Sequence, residues 1–386
     1  MKKIALVTST RADYGILRPL ICEFSKHNDI SLEIIVTGTH LCRKYGYTKD
    51  EIIRDGYTNT HDIDILLEND NPEAIGKSMG LALISFSELF HRIKPNAVIV
   101  LGDRFELLSI CSSALVNKIP IIHISGGEIT HGAIDDSIRH AVTKMSFLHF
   151  ASCEEYRQRI IQLGENPSRV FNYGDLGIEN LIKSKLLAKD KLCKILKLNL
   201  SKSIVCATFH PETAIDTSIE KQFAEIMEVV KKYPEIQFVF TKSNADTGGN
   251  EINTLLDIYK KDLNNLFVFD SLGSIKYLSL IKNSICVLGN SSSGIVEAPA
   301  LRIPTINIGN RQKGRLMAES IINVSFDFKE ISTAIETVQS DLFCEKMRVF
   351  KPIFDGNETS SKMTKKILET LDNNHIFYKE FYDIDL

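Results

Sequence analysis

Apolar residues along this chain come in short, β-branched runs separated by longer stretches with helical spacing. IALVTS (4–9), LEIIVTG (32–38), AVIVLGD (97–103), PIIHISGG (120–127) and LHFAS (148–152) occupy the first half. Runs this brief and this uniformly apolar, with amphipathic segments between them, predict parallel strands buried on both faces and joined by crossover helices. The rhythm restarts with SIVCATF (203–209), IQFVFT (236–241), LFVFD (266–270), SICVLGN (284–290) and PTINIG (304–309). The expected architecture is therefore α/β, with two Rossmann-like doubly wound domains facing a cleft. The first spans 1–182 and the second 183–359, while 360–386 forms a terminal helix and tail packing back on the first domain. The lysine-rich stretch Lys183 to Lys202 is the connector and carries a helix of its own. No internal repeat or low-complexity tract interrupts the pattern.

Composition narrows the function classes. At 386 residues and 44% apolar content, the chain can bury two cores, because single cores stop growing near ~250–300 residues. A formal net charge of -3 offers no basic surface of the kind nucleic acid requires, and a small phosphorylated metabolite is the better-suited ligand. The eight cysteines, Cys22, Cys42, Cys111, Cys153, Cys193, Cys206, Cys286 and Cys344, include no C-x-x-C pair. They predict neither a zinc site nor a disulfide framework, and read as reduced, mostly core thiols. The first apolar run, Ile4 to Val7, is too short for a signal-peptide core or a membrane span. A cytoplasmic protein without a membrane partner is expected.

Ligands of open α/β sheets sit at the carboxyl ends of the strands, so polar residues just after each apolar run are the candidates. The first cluster is STRADYG (9–15), where hydroxyls and Arg11 open a helix whose amides can face a phosphate. The ordinary alternative is a strand-to-helix turn capped by Thr10 or Asp13. The second is GDRFE (102–106), where Asp103 lines a cleft or simply caps a helix, and Arg104 grips a phosphate or holds Asp103 ionised. The third is HISGGE (123–128), followed by DDSIRH (135–140). Arg139 there is one turn from Asp135 and suited to an i,i+4 surface pair. Asp103 and Glu128 both end strands and Asp135 opens the next helix, so the three can converge on one rim, with one acting as base and another as acid.

The fourth cluster, GNSSSG (289–294), precedes the segment Ile295 to Ala298, expected to be helical, and offers hydroxyls and helix-terminal amides to an anion. Its G-x-x-x-x-G spacing is that of a P-loop, but Ile295 and Val296 stand where Lys and Ser or Thr are needed, which excludes an ATPase. No G-x-G-x-x-G follows the first strand, which argues against a nicotinamide dehydrogenase. His210 ends SIVCATF and is a further candidate, whereas His123 and His140 are assigned structural or supporting places.

In order along the chain, STRADYG, LGDRFE, GGE with DDSIRH, FHPET, SNADTG, GNSSSG with Glu297, and INIGNRQKGR resemble the hydrolysing UDP-N-acetylglucosamine 2-epimerases from Lys2 to about Arg315. These are the bacterial enzymes of sialic-acid-like nonulosonic acid synthesis and the epimerase half of the mammalian bifunctional enzyme. The resemblance implies a glycosyltransferase-B type of fold, with UDP held mainly by the second domain and the sugar reaching the first. It places Arg11, Gly15 and Arg104 near the diphosphate and makes Asp103, Glu128 and Asp135 the acidic catalytic group. His210, Asn244, Ser291, Ser292, Glu297 and Arg311 match further nucleotide contacts, Glu297 at the ribose hydroxyls and Arg311 at a phosphate. It also implies a homodimer or homotetramer.

The implied chemistry is elimination: a carboxylate takes the carbon 2 proton as UDP departs, and water adds to the glycal to give the manno product. Arginines and helix amides neutralise the departing diphosphate without a metal or redox cofactor. UDP-N-acetylglucosamine is the expected donor, with UDP-N,N'-diacetylbacillosamine as the alternative. A glycosyltransferase, a non-hydrolysing epimerase and a catalytically silent nucleotide-sugar sensor are the rivals. A sensor would not need Asp103, Glu128 and Asp135.

Overall fold

A computed structural model describes the chain except residues 44–46, 68–70, 130–133, 211–217, 243–248, 271, 374–377 and 385–386. The chain divides into two compact units, Met1–Ile182 with Phe354–Leu386, and Lys183–Ile353. The strands of the first are β1 (Lys2–Thr8), β2 (Ile30–Thr37), β3 (Thr60–Ile63), β4 (Ala97–Leu101), β5 (Ile121–Ile124), β6 (Leu148–Ala151) and β7 (Val170–Asn172). Those of the second are β8 (Ser203–Thr208), β9 (Ile236–Thr241), β10 (Leu266–Phe269), β11 (Cys286–Gly289), β12 (Thr305–Ile308) and β13 (Ile321–Val324). Both sheets are parallel, in the orders β3-β2-β1-β4-β5-β6-β7 and β10-β9-β8-β11-β12-β13. Each order reverses beside its first strand, so each sheet has a switch point, between β1 and β4 and between β8 and β11.

The helices are α1 (Arg11–Phe24), α2 (Lys49–Arg54), α3 (Pro72–Ile93), α4 (Phe105–Val116), α5 (Ile134–Met145), α6 (Glu154–Gln162), α7 (Leu176–Lys183), α8 (Lys189–Leu196), α9 (Ile219–Lys232), α10 (Gly249–Tyr259), α11 (Gly273–Lys282), α12 (Glu297–Ala300), α13 (Phe328–Val338), α14 (Asp341–Val349) and α15 (Thr359–Asn373). The two-residue period of β1 separates two cores. Ile4 and Leu6 pack with Leu17, Leu20 and Phe24 of α1 and with Met363 and Ile367 of α15. Ala5 and Val7 pack with Phe86 and Phe90 of α3 and Leu107 and Ile110 of α4. In the second unit Val205 and Ala207 face α9 and α13 through Phe223, Ile226 and Ile331, while Ile204 and Cys206 face α8 and α11 through Leu192 and Leu280. No helix among the described residues is long and apolar enough to cross a membrane.

The chain returns to the first unit at Phe354, ahead of the expected residue 360. A docked turn explains the early return: the Asp175 N–H donates to the Asp355 carbonyl at 2.6 Å. The buried Glu179 carboxylate then accepts the Ser360 N–H and hydroxyl at 2.6 and 2.8 Å, tying the first turn of α15 to α7.

One glycine at a strand end has no substitute. Gly289 closes β11 at φ 126°, and a Cβ there would overlap the Thr208 carbonyl of the adjacent strand. Gly289→Ala is expected to cost at least roughly 1–3 kcal/mol from backbone strain alone. An unchanged denaturation midpoint for the variant would refute this.

Candidate functional site

At the end of β1 the chain turns directly into α1. The Thr10 hydroxyl accepts the Asp13 N–H at 3.1 Å, and the Asp13 carboxylate accepts the Thr10 N–H at 3.0 Å and the Ser9 hydroxyl at 3.1 Å. This reciprocal cap gives Thr10 and Asp13 the ordinary structural duty and leaves Arg11 facing outward. Arg11 is mostly exposed and pairs through Nε with Glu51 at 2.8 Å. Gly15 lies one turn on along the same helix face. A Cβ on it would meet nothing within 4 Å among the described residues. Glycine inside a helix costs up to about 1 kcal/mol relative to alanine, and no packing among the described residues demands it here, so its effect is to leave the surface beside Arg11 open.

His40, which the strand-end rule would also have found after LEIIVTG, lies buried under this turn. Its ring nitrogens meet the Thr8 and Thr48 hydroxyls at 3.0 and 2.7 Å. The His40 main-chain N–H and the Thr39 hydroxyl both donate to the Ser9 carbonyl. Burial pushes the His40 pKa down to about 4, so the ring is neutral at pH 7 and holds the loops after β1 and β2 together.

The ends of β4 and β5 are joined by one arginine. Gly102, at φ 78°, turns the chain after β4 and presents Asp103. β5 stops at Ile124, short of the expected 127, because Ser125 and Gly127 take φ values of 61° and 81°. Glu128 follows. Arg139 of α5, only 4% exposed, pairs through Nη2 with Asp103 and donates through Nη1 to the Glu128 carbonyl at 3.0 Å. This corrects the expected surface pair with Asp135. The same-helix carboxylate near Arg139 is that of Asp136, at 3.6 Å. Docking of α5 against the strand ends buries the guanidinium and aims it across the sheet rather than along the helix. His123 reinforces the arrangement, with Nε2 at 2.8 Å from the Gly102 carbonyl and Nδ1 at 3.2 Å from the Thr143 hydroxyl. Burial pushes its pKa down to about 3, so the neutral ring donates to the carbonyl and accepts from the threonine.

Arg104 precedes α4 and donates through Nε to Glu106 at 2.7 Å. Burial works against its charge, but Glu106, Asp13 and Asp135 outweigh that and raise its pKa. The Asp103 carboxylate and the Glu128 main chain are thus both held by Arg139, Asp135 stands in the first turn of α5, and Arg104 lies in the field of Asp135.

In the second unit the organising residue is Asn290, fully buried at the end of β11. Its amide pairs with the main chain of His210 in both directions, Nδ2 donating to the carbonyl at 2.7 Å and Oδ1 accepting the N–H at 2.8 Å. Its own carbonyl accepts Arg311 Nη1 at 3.1 Å and Gln312 Nε2 at 2.8 Å. One residue therefore ties together the loops that follow β8, β11 and β12. The sequence flagged its neighbours Ser291 and Ser292 but not Asn290 or Gln312, since a buried amide and an exposed one read alike in a motif.

The helix expected after GNSSSG is also corrected. Ser292–Gly294 form a single 3₁₀ turn, and α12 is four residues long. Pro299, Arg302 at φ 60° and Pro304 prevent a longer helix. The Ser293 and Gly294 amides are taken by the Ser291 hydroxyl and carbonyl. The turn therefore offers mainly the Ser291 and Ser292 hydroxyls rather than a helix dipole. Glu297 opens α12 and lies near the half-buried Tyr277, whose phenol pKa is raised by desolvation with Glu297 adding to the effect. Arg311 is exposed. Asn244 and the Pro211-Glu212 pair lie outside the described residues.

Two parallel α/β units, each gathering polar groups at the switch point of its sheet, define a nucleotide-binding type of enzyme fold. The family model described as UDP-N-acetylglucosamine 2-epimerase matches residues 22–368, and the chain belongs to that family of UDP-sugar 2-epimerases. A Campylobacter jejuni relative, GDP/UDP-N,N'-diacetylbacillosamine 2-epimerase (hydrolyzing), is 41% identical over 99% of both chains. The UDP-N-acetylglucosamine 2-epimerase of Neisseria meningitidis serogroup B is 30% identical over 100% of both. The crystal structure of a UDP-GlcNAc 2-epimerase from Neisseria meningitidis bound to UDP-GlcNAc covers 95% of this chain and 100% of its own, with a TM-score of 0.77 and 19% identity. At that identity the likeness establishes a shared fold of the glycosyltransferase-B type.

Proposed function

We propose that this chain is a hydrolysing 2-epimerase of a UDP-2-acetamido sugar. A carboxylate of the Asp103, Glu128 and Asp135 group removes the proton from carbon 2, the carbon 1–oxygen bond breaks, and UDP leaves with the bonding electrons. Water then adds its hydroxyl to carbon 1 of the glycal while a carboxyl group returns a proton to the opposite face of carbon 2. The sum is UDP-sugar and water giving UDP and the free 2-epimer. Arg11 and Arg104 offset the charge on the departing diphosphate, with Gly15 leaving room for it. In the second unit His210, Asn244, Ser291, Ser292 and Arg311 hold the nucleotide, and Glu297 accepts from the ribose hydroxyls.

The observation that carries this reading is that Arg139 holds both the Asp103 carboxylate and the Glu128 main chain at the strand ends of the first sheet. A module that only bound a nucleotide would have no use for a buried arginine that fixes one acidic residue by its carboxylate and the next by its main chain. For the donor we propose UDP-N,N'-diacetylbacillosamine. Its support is that the relative named for that sugar is 41% identical, against 30% for the one named for UDP-N-acetylglucosamine. The product would then serve synthesis of sialic-acid-like nonulosonic acids.

Incubation with each donor in deuterium oxide tests both parts. Free sugar carrying deuterium at carbon 2 is expected, made faster from the diacetylated donor. Protium at carbon 2 would instead mean simple glycoside hydrolysis, and a sugar still joined to UDP would mean a non-hydrolysing epimerase.

A further inference from the structure

Glu106 is fully buried in the first turn of α4, yet only one of its carboxylate oxygens is used. Oε1 accepts Arg104 Nε at 2.7 Å, and Oε2, equally buried, has no hydrogen-bond partner among the described residues. A carboxylate placed for stability would have both oxygens satisfied, because a buried polar atom without a partner is costly. The arrangement makes sense through Arg104. Its side chain is held at Nε and over the Phe105 ring, 5.9 Å from the guanidinium carbon. Among the described residues no hydrogen bond or ion pair engages Nη1 or Nη2. Clamping a guanidinium from its Nε side leaves its two-nitrogen end, the edge that fits two oxygens of a phosphate, pointing away from the clamp.

We propose that Glu106 is a positioning residue that locks Arg104 with its two-nitrogen edge presented to the diphosphate of the substrate. This rests on the reading of Arg104 as a diphosphate-binding group. Glu106 touches no reacting atom; its effect passes entirely through the arginine. A double-mutant cycle on the full-length enzyme tests this, using Glu106→Gln, Glu106→Leu and Arg104→Met, singly and combined, with turnover of UDP-sugar, UDP titration and thermal midpoint as readouts.

Each Glu106 variant is expected to lower kcat/KM by roughly 10–100-fold, the scale of a misaimed binding group. Neither should lower kcat/KM further in the Arg104→Met background. Because the Arg104 side chain is about a third exposed and solvent can take over the charge that Glu106 balances, the midpoint of Glu106→Leu should fall by much less than breaking a fully buried pair would cause. Losses that add to those of Arg104→Met, or a fall in midpoint that accounts for the lost activity, would show a merely structural residue and overturn the proposal. Should Glu106→Leu fail to fold, the isosteric Glu106→Gln still decides it through the cycle. A wild-type enzyme that releases no UDP from either donor would instead refute the functional reading itself, which keeps the two failures apart.

Discussion

Glu128→Gln is expected to cut turnover by roughly 10²–10⁴-fold, the usual scale for a general acid–base group, while leaving the fold and UDP affinity close to wild type. The contrast with Asp103 makes this variant the informative one. Arg139 is buried and takes its nearest counter-charge from the Asp103 side chain, whereas its bond to Glu128 is made by the main-chain carbonyl. Glutamine at 128 keeps that carbonyl. Asparagine at 103 removes the charge that balances a buried guanidinium, and breaking one side of such a pair typically costs about 3–5 kcal/mol. Asp103→Asn should therefore lose both activity and stability. Steady-state rates with denaturation midpoints separate the two effects. A Glu128→Gln enzyme within a few-fold of wild type would remove Glu128 from the acid–base group.

What was legible in the sequence follows from where each element sits. Central strands such as β1, β4, β8 and β11 are covered on both faces, so their sequences are unbroken apolar runs. β3, β7 and β13 lie at sheet edges, and THDI, VFN and IINV are only three or four residues long and broken by polar positions, too brief a pattern to announce a strand. Strand-end clusters were visible because the fold rule says where to look, and it would have reached His40 as well. The partners inside each cluster were not visible. Helical spacing suggested Asp135 for Arg139, but the choice of Asp103 depends on how α5 docks, which is a tertiary matter. The short α12 reflects two prolines and a left-handed Arg302 acting together against an otherwise helix-compatible run. Nothing in GNSSSG says that its asparagine is the buried member.

Asn290→Asp is expected to weaken UDP binding by at least roughly tenfold and to destabilise the second unit by about 2–4 kcal/mol, the cost of a buried group set against a like partner. The substitution changes one NH₂ to an oxygen and hardly alters volume. That oxygen would face the His210 carbonyl, now 2.7 Å from an amide donor, so an attractive contact becomes a repulsive one. The bond from the His210 N–H to the other oxygen can persist, which confines the damage to one side of the bridge. His210 and Arg311 both depend on this residue, one through its side chain and the other through its carbonyl, so their loops should loosen together. The pH dependence gives an independent check. A carboxyl at this buried position has its pKa raised over the ordinary value of about 3.9. Its neutral form can donate to the His210 carbonyl, so the variant recovers stability relative to wild type as pH falls toward that value and loses it as pH rises through the raised one. Calorimetric UDP titration and paired denaturation curves across that range would show both effects. A stability gap that stays constant with pH would mean that the Asn290 amide does not bridge His210 as described.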